Sequence, residues 1–342
     1  MKFAIVGCGF IAKKHALAIN NIENAELVAV CDFDEEKMKY YIEEYNVSTF
    51  KSIDDLLAEK PEIDAISICV PSGFHKEVAV KAAKAGKHII VEKPIAMKIE
   101  DAQEITKVAQ ENNVKLIVVH PNRYRPVVMA LKKILDENKL GKISHANCIV
   151  NWNRNQEYYD QAPWRGTKEH DGGVLMNQAI HNLDLLIWFM GEPDEIFSME
   201  ATRLRNIEAE DVSMGIVKFS NGSLATIQAS TTVYPKNFEE SITIFGEKGT
   251  VKIGGQNALY FEHIDYEGMD IQEQEKINQN IKADPWGIPG HQQIYINLIE
   301  SVEKNFETSV SGEEAIKSLK LVNKMYESAN LHKSVSWNEG II

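Results

Sequence analysis

Short apolar runs alternate with segments of helical periodicity over the first 120 residues of the chain. The runs are rich in β-branched residues and cover residues 2–6, 26–31, 65–70, 88–91 and 115–119. Runs of this kind predict buried strands, and the segments between them predict helices. Because parallel strands need a crossover between them, and that crossover is nearly always right-handed, the pattern predicts a doubly wound α/β domain with a parallel sheet.

The pattern changes after His120-Pro121. Helical spacing predicts a helix over 126–138, a strand over 143–152 follows, and one long helix is predicted over 172–190, where Gly191 ends it. Alternation of period two then predicts strands at 196–202, 212–219, 223–232, 240–245 and 250–253, with hairpin turns at 221–222 and 247–249. These strands indicate a second, mainly antiparallel sheet.

The acidic, amide-rich segment 267–284 has weak periodicity and is predicted to be a loop or a poorly regular insertion. Helices are predicted at 292–305 and 313–331. Because a chain of 342 residues exceeds the usual size of one domain, we expect two, residues 1–120 and residues 121–342.

Composition narrows the class of protein. With 37 basic and 50 acidic residues the net charge is −13, so the chain has no global positive field to attract nucleic acid. No apolar run reaches the roughly 20 residues that cross a bilayer, and the N-terminus leads directly into a strand without a signal segment. The four cysteines lie far apart and lack a C-x-x-C spacing, so neither a metal site nor a disulfide is expected. These features predict a cytoplasmic protein.

The first predicted strand is followed by Gly7-Cys8-Gly9-Phe10-Ile11-Ala12, which matches G-x-G-x-x-A and leads into a helix. Glycines in this turn let a pyrophosphate approach the helix N-terminus. Asp32 ends the second strand, where a carboxylate accepts hydrogen bonds from ribose hydroxyls and repels a 2′-phosphate. The motif predicts a dinucleotide site that favours NAD over NADP; the alternative is a glycine turn without a ligand.

Glu92-Lys93-Pro94 closes the strand at 88–91. Residues just past the carboxyl ends of parallel strands face the ligand crevice, and a partly desolvated lysine there suits proton transfer. On the helix over 172–190, Asn177, His181 and Asp184 stand at i, i+4 and i+7 and form one polar face. Taken singly, a surface charge is the better explanation for the lysine and a structural role the better one for the histidine; their combination with the dinucleotide motif favours catalysis.

Together these motifs resemble the glucose-fructose oxidoreductase/inositol dehydrogenase/rhizopine catabolism (Gfo/Idh/MocA) family. The resemblance implies a Rossmann domain followed by a C-terminal α/β domain, whose open, mainly antiparallel sheet often joins subunits. A homo-oligomer, dimer or tetramer, is therefore expected. The resemblance also implies that Lys93 and His181 are catalytic. The broader family usually has aspartate four residues before that histidine, whereas this chain has Asn177.

The segments 153–167 and 171–178 resemble those of the dehydrogenases that oxidise UDP-N-acetylglucosaminuronic acid at C3, and 178–181 and 290–295 agree. The resemblance implies an NAD-dependent enzyme that forms the 3-keto sugar for surface polysaccharide synthesis. Two alternatives remain, an inositol or other free-sugar dehydrogenase and a catalytically silent NAD-binding regulator. Retention of Lys93 and His181 counts against the regulator.

In this interpretation Lys93 and His181 handle the proton of the C3 hydroxyl, with their individual roles left open, and Asn177 orients His181 or binds the sugar. The residues expected to contact the cofactor are Gly7, Gly9, Phe10, Ile11, Asp32, Pro71, Ser72, His75, Glu92, Lys93, Asn122, Trp164 and Arg165. The residues expected to contact the UDP-sugar are Lys93, Arg123, Arg154, Tyr159, Arg165, Asn177, His181, His291 and Tyr295. The arginines are candidates because a planar guanidinium suits carboxylate and phosphate groups.

Overall fold

The computed structural model describes residues 1–340. Within it the chain forms two compact units. The first unit joins Met1–Pro121 with Ile288–Leu319, and the second joins Asn122–Gly287 with the chain from Lys320 onward.

The strands, in chain order, are Lys2–Val6 (β1), Glu26–Cys31 (β2), Ser48–Phe50 (β3), Ala65–Ile68 (β4), His88–Val91 (β5), Leu116–Val118 (β6), Ile143–Asn151 (β7), Pro193–Ala201 (β8), Val212–Phe219 (β9), Leu224–Ser230 (β10), Glu239–Gly246 (β11), Gly249–Gly254 (β12), Tyr260–Tyr266 (β13) and Val335–Ser336 (β14). The α-helices are Phe10–Asn20 (α1), Glu35–Tyr45 (α2), Ile53–Glu59 (α3), His75–Lys84 (α4), Ile99–Glu111 (α5), Pro126–Asp136 (α6), Gln156–Asp160 (α7), Ile180–Met190 (α8), Ile271–Ala283 (α9), Gly290–Glu303 (α10) and Gly312–Leu331 (α11). None of these helices has the length and apolar character that a membrane span requires.

The first unit is built on a six-stranded sheet in the order β3-β2-β1-β4-β5-β6, and every neighbouring pair is parallel. The central strands are buried along almost their whole length, as expected for a sheet covered on both faces. The predicted doubly wound parallel sheet is confirmed. The sequence pattern missed β3, which has only three residues.

Residues 288–319 pack with the parallel sheet. The Val118 N–H donates to the Val310 carbonyl at 3.0 Å, and the Thr308 hydroxyl donates to the Leu116 carbonyl at 2.6 Å. From α10, the ring of Tyr295 packs edge-on against Phe3 of β1, with centroids 5.1 Å apart. The compact unit is thus discontinuous in sequence, whereas the predicted division was a single cut after residue 120; that division stays a prediction about functional domains.

The second unit is built on an eight-stranded sheet in the order β13-β12-β11-β7-β10-β9-β8-β14. Its pairs are antiparallel except β7 with β10, which run parallel. The predicted α/β fold with an open, mainly antiparallel sheet is confirmed.

One prediction in this unit is wrong, and another is confirmed except for the helix type of its first part. Residues 267–284 are not a loop, because α9 occupies most of the segment and the Asp270 side chain caps it by accepting the Glu273 N–H at 2.7 Å. Of the residues in α9 only Ile281 is buried, so the helix has little apolar periodicity. The predicted helix over 172–190 is present and ends at Gly191, but its first part, Val174–Ala179, is π-helical and leads into α8.

Candidate active site

The turn after β1 has the backbone that the glycine motif predicts. Gly7 has a φ of +94°, and a Cβ there would lie 2.6 Å from the Val70 nitrogen, so only glycine fits. A Cβ on Gly9 would meet nothing within 4 Å. Helix α1 begins at the next residue, and no side chain within residues 1–340 caps it. Open space in front of an uncapped helix N-terminus fits the pyrophosphate of a dinucleotide.

Asp32 supports this turn from the end of β2. Its Oδ2 accepts the Cys8 N–H at 2.8 Å, and its Oδ1 accepts the Asp34 N–H at 2.9 Å. The side chain is 9% exposed. The carboxylate is therefore fixed beside the glycine loop, where the sequence motif expects a ribose partner.

Pro71 and Ser72 lie in the turn after β4, and the Pro71 carbonyl accepts the Phe74 N–H at 2.9 Å. His75 begins α4 and is buried, with Nδ1 2.8 Å from the Pro94 carbonyl oxygen and Nε2 3.0 Å from that of Val70. Burial lowers the pKa of His75, so the ring is neutral and donates through one nitrogen. Both neighbours are acceptors, so the ring lies between the turn after β4 and the turn after β5 and donates to one of them. Its predicted cofactor contact stays a prediction.

Glu92 and Lys93 follow β5. Glu92 is 8% exposed, and its Oε1 lies 3.0 Å from His15 Nε2 and 3.6 Å from His291 Nε2. Burial opposes ionisation, but the contacts with His15 and His291 hold the pKa of Glu92 well below its ordinary value. The other oxygen, Oε2, accepts the Lys93 N–H at 3.1 Å. An ionised, buried carboxylate therefore lies directly beside the half-buried Lys93.

Tyr295 was expected to contact substrate, but the structure buries it completely. Its hydroxyl oxygen lies 2.8 Å from His15 Nδ1 and 2.6 Å from Ser67 Oγ. It offers no surface to a ligand and reaches the Glu92 carboxylate only through His15. His291, from the same helix, keeps 16% of its side chain exposed.

In the second unit, two of the predicted anion-binding residues stack on one tyrosine. The Arg154 guanidinium carbon lies 5.3 Å from the centre of the Tyr158 ring, and that of Arg165 lies 4.4 Å from it. Arg165 also donates to the Tyr158 hydroxyl at 2.7 Å and packs 4.7 Å from the ring of Trp164. Sequence reasoning missed Tyr158 and chose Tyr159, which is buried and donates to Thr231 Oγ1 at 3.2 Å.

Asp171 connects this loop to the π-helical segment. Its Oδ2 accepts the Gly166 N–H at 2.7 Å, and its Oδ1 accepts a hydrogen bond from the Asn177 side-chain amide. Asp171 is 3% exposed, whereas Asn177 and His181 are half-buried. The orientation of Asn177 is therefore set by a residue that the sequence identified only as part of the helix start.

Asp184, the third member of the predicted polar face, pairs with Arg123. The two side chains form two hydrogen bonds of 2.7 Å and are nearly fully buried. The predicted contact of Arg123 with substrate stays a prediction, but its charge is balanced within the protein. Asn122, expected to touch the cofactor, is 7% exposed.

Comparison with known proteins agrees with this geometry. Residues 1–120 match the family model of the Gfo/Idh/MocA oxidoreductases with an NAD-binding Rossmann fold, and residues 128–252 match the C-terminal domain of the same family. The crystal structure of the WlbA dehydrogenase from Chromobacterium violaceum, in complex with NADH and UDP-GlcNAcA, is 37% identical, covers 98% of this chain and 95% of that one, and has a TM-score of 0.92. The corresponding enzyme from Bordetella pertussis, also with NADH and UDP-GlcNAcA, is 35% identical, covers 98% and 97%, and has a TM-score of 0.93.

The inositol 2-dehydrogenase of Rhizobium meliloti is 26% identical and covers 98% of this chain and 99% of its own. The chain belongs to the Gfo/Idh/MocA family. It is an oxidoreductase whose cofactor is NAD, as the glycine turn, α1 and Asp32 predict.

Proposed function

We propose that the enzyme uses NAD to oxidise the C3 hydroxyl of UDP-linked N-acetylglucosaminuronic acid to the 3-keto sugar, a step in making sugars for surface polysaccharide. Two observations support this choice of substrate. Similarity to the two WlbA enzymes, at 37% and 35% identity, exceeds the 26% to the inositol dehydrogenase over equally long alignments. The second is the pair Arg154 and Arg165 stacked on Tyr158.

The arginine pair carries the proposal because it explains how an acidic protein holds a strongly anionic substrate. The chain has a net charge of −13, so a carboxylate and a pyrophosphate must be met by local cations. The cation–π contacts with Tyr158 restrict the motion of both guanidinium groups, which lowers the entropy lost when they bind an anion. A free sugar such as inositol has no charge for these groups to bind.

The chemistry needs a proton acceptor and a hydride acceptor. NAD, held at the glycine turn, the N-terminus of α1 and Asp32, would supply the hydride acceptor that conversion of the C3 alcohol to a carbonyl needs. The hydroxyl proton passes to Lys93 or His181, and the other residue stabilises the oxygen as charge develops. Asn177, held by Asp171, adds no negative charge near an anionic substrate. An aspartate at this position would repel it.

A nicotinamide absorbance assay tests the proposal with UDP-GlcNAcA, UDP-GlcNAc and inositol, each with and without 2-oxoglutarate. We expect NADH to form only with the uronate. If 2-oxoglutarate is needed for more than one turnover, NADH is recycled in place. Turnover of inositol but of neither UDP-sugar would contradict the proposal and indicate a free-sugar dehydrogenase. Bound NAD without turnover of any substrate would favour a regulator.

We also propose that the eight-stranded sheet joins two copies of this chain. On one face of β8 and β9, Phe197 lies opposite Ile216 and Met199 opposite Met214. All four side chains are exposed, between 39% and 65%. A contiguous apolar face of this kind on an open sheet suits a self-complementary interface.

A further inference from the structure

Four side chains form one hydrogen-bonded chain that ends at the backbone of Lys93. Ser67, Tyr295, His15 and Glu92 follow one another at 2.6, 2.8 and 3.0 Å, and Glu92 Oε2 then accepts the Lys93 N–H at 3.1 Å. Ser67, Tyr295 and His15 are completely buried. The chain links α1, which follows the glycine turn, and α10 to the residue after β5.

The ionised carboxylate determines the direction of every hydrogen bond in this chain. A carboxylate only accepts, so His15 donates from Nε2. Burial lowers the pKa of His15, which leaves Nδ1 of the neutral ring to accept from the Tyr295 hydroxyl. The Tyr295 oxygen in turn accepts from Ser67. Ser67, Tyr295 and His15 therefore each donate to the next group in the direction of Glu92. This single set of hydrogen-bond directions fixes the position of the carboxylate.

We propose that Glu92 is a positioning residue for Lys93, and that His15 and Tyr295 hold Glu92 in place. The hydrogen bond to the Lys93 N–H fixes the backbone from which the lysine side chain departs. On the other side, His75 Nδ1 lies 2.8 Å from the Pro94 carbonyl oxygen, which is the shorter of the two carbonyl contacts of this ring. Lys93 is thereby held on both sides, and a displacement of about 1 Å at a catalytic group lowers the rate about 100-fold. The proposal rests on the proposed role of Lys93.

A metal ion is the competing explanation for this cluster. The ligand atoms of His15, Glu92 and His291 lie within 4.8 Å of one another. The contact of 3.0 Å between His15 and Glu92 is a hydrogen bond, and it is shorter than the roughly 3.4 Å that separates two ligands of a tetrahedral zinc ion with bonds of about 2.1 Å. Glu92 also uses its second oxygen for the Lys93 N–H. The geometry favours hydrogen bonding.

The test is a double-mutant cycle on the NAD-loaded enzyme with UDP-GlcNAcA. Glu92→Leu should lower kcat about 100-fold, and Glu92→Gln, which keeps an acceptor for the Lys93 N–H, should restore it to within about tenfold of the parent. The KM for substrate and the Kd for NAD should change less than about threefold. In a Lys93→Met background, Glu92→Leu should have almost no further effect, because a residue that acts through Lys93 has nothing left to position.

Additive losses in the cycle would overturn the positioning role while leaving the role of Lys93 intact. Unchanged turnover in Lys93→Met would instead contradict the proposed function. Tyr295→Phe provides a milder variant that keeps the packing against Phe3 and should lower kcat about three- to tenfold, again only when Lys93 is present. The positioning proposal would also be contradicted if the purified enzyme contained stoichiometric zinc, and if a chelator removed both the zinc and the activity.

A readout without substrate uses an amine-reactive reagent and peptide mass spectrometry. In Glu92→Leu, Lys93 should react at least about threefold faster, because a neighbouring negative charge and a backbone restraint are both lost. Lys107, which is 73% exposed on α5, serves as the internal control and should not change. Equal labelling of Lys93 in the parent and the variant would contradict the proposal.

Discussion

Arg123 and Asp184 form a buried, bidentate ion pair, with Nε and Nη2 each 2.7 Å from a carboxylate oxygen. The Arg123 guanidinium also packs 4.9 Å from the ring centre of Trp188. The sequence singled out both charged residues, Arg123 as a guanidinium for the substrate and Asp184 by its helical spacing on a polar face. The structure joins them to each other. A cation and an anion that are both removed from water stabilise a fold only as a pair.

Removing one partner of this pair should destabilise the protein. Arg123→Leu leaves Asp184 charged and buried, and we expect the free energy of unfolding to fall by about 3–5 kcal/mol. Urea unfolding followed by circular dichroism measures the change. Arg123→Leu combined with Asp184→Leu should recover most of the loss. If the double variant were as unstable as the sum of both single variants, the pairing would not be the cause.

The stacked arginines should determine affinity for the substrate rather than turnover. Arg154→Ala and Arg165→Ala each remove one charge-assisted hydrogen-bond donor, so we expect KM for UDP-GlcNAcA to rise about 10- to 100-fold. Steady-state kinetics, with the Kd for NAD as a reference, measure this. Lys168→Ala is the matched control, because Lys168 is an exposed cation in the same loop. An unchanged KM in both arginine variants would contradict the proposal that these residues bind the anionic groups of the substrate.

Asp32 should set the preference for NAD over NADP. Asp32→Asn keeps an acceptor for the Cys8 N–H, which the parent holds at 2.8 Å, but removes the negative charge. We expect the ratio of kcat/KM for NAD to that for NADP to fall at least about tenfold, because the 2′-phosphate is no longer repelled. The variant should melt within a few degrees of the parent. A ratio that does not change would show that the preference arises elsewhere.

The sequence predicted elements whose apolar runs are bounded by turns, and it missed those defined by local polar contacts. Val212–Phe219 alternates buried and exposed residues and was predicted with its observed bounds. The helix α9 buries only Ile281, so its periodicity is too weak to detect. The π-helical segment depends on Glu210, which accepts the N–H groups of Val174 and Leu175 from 35 or more residues away.

The same limit applies to the candidate site. Lys93 and Asp32 could be found because a motif and a strand end place them. The partners that fix them could not be found in this way. His15 and Glu92 are 77 residues apart, and His15 and Tyr295 are 280 apart, so no local spacing indicates their contact. Sequence periodicity predicts which face a residue occupies, whereas hydrogen-bond partners across the fold depend on how the elements pack.

The exposed apolar face of β8 and β9 should control the oligomeric state. Met214 and Ile216 are each 53% exposed in the single chain. Met214→Glu and Ile216→Lys replace these apolar side chains with charged ones. If two copies meet at this face, each variant should shift the protein to a smaller species in light scattering coupled to size exclusion, while NAD binding is retained. Leu204→Glu, at a residue 67% exposed outside the sheet, is the control. A parent that is already monomeric would contradict the proposal.

Glu210 should make stability fall as pH rises. Burial raises its pKa from 4.5 to about 8, and its carboxyl group accepts the Leu175 N–H and a hydrogen bond from Tyr326. Between those two values the folded state keeps a proton that the unfolded state has released. The contribution is therefore fully present below pH 4.5 and is lost as pH rises to about 8, by up to about 1.4 kcal/mol per pH unit.

Glu210→Gln keeps the acceptor for Leu175 but cannot ionise, so it isolates this contribution. Urea unfolding at several pH values across the window should show a parent whose stability declines with pH more steeply than that of the variant. Other titrating groups are common to both proteins and cancel in the difference. The carboxyl group lies against the backbone of Gly173, because a Cβ built on that glycine would lie 2.0 Å from Glu210 Oε2. Parallel stability curves for the two proteins would show that Glu210 is already ionised in the folded state.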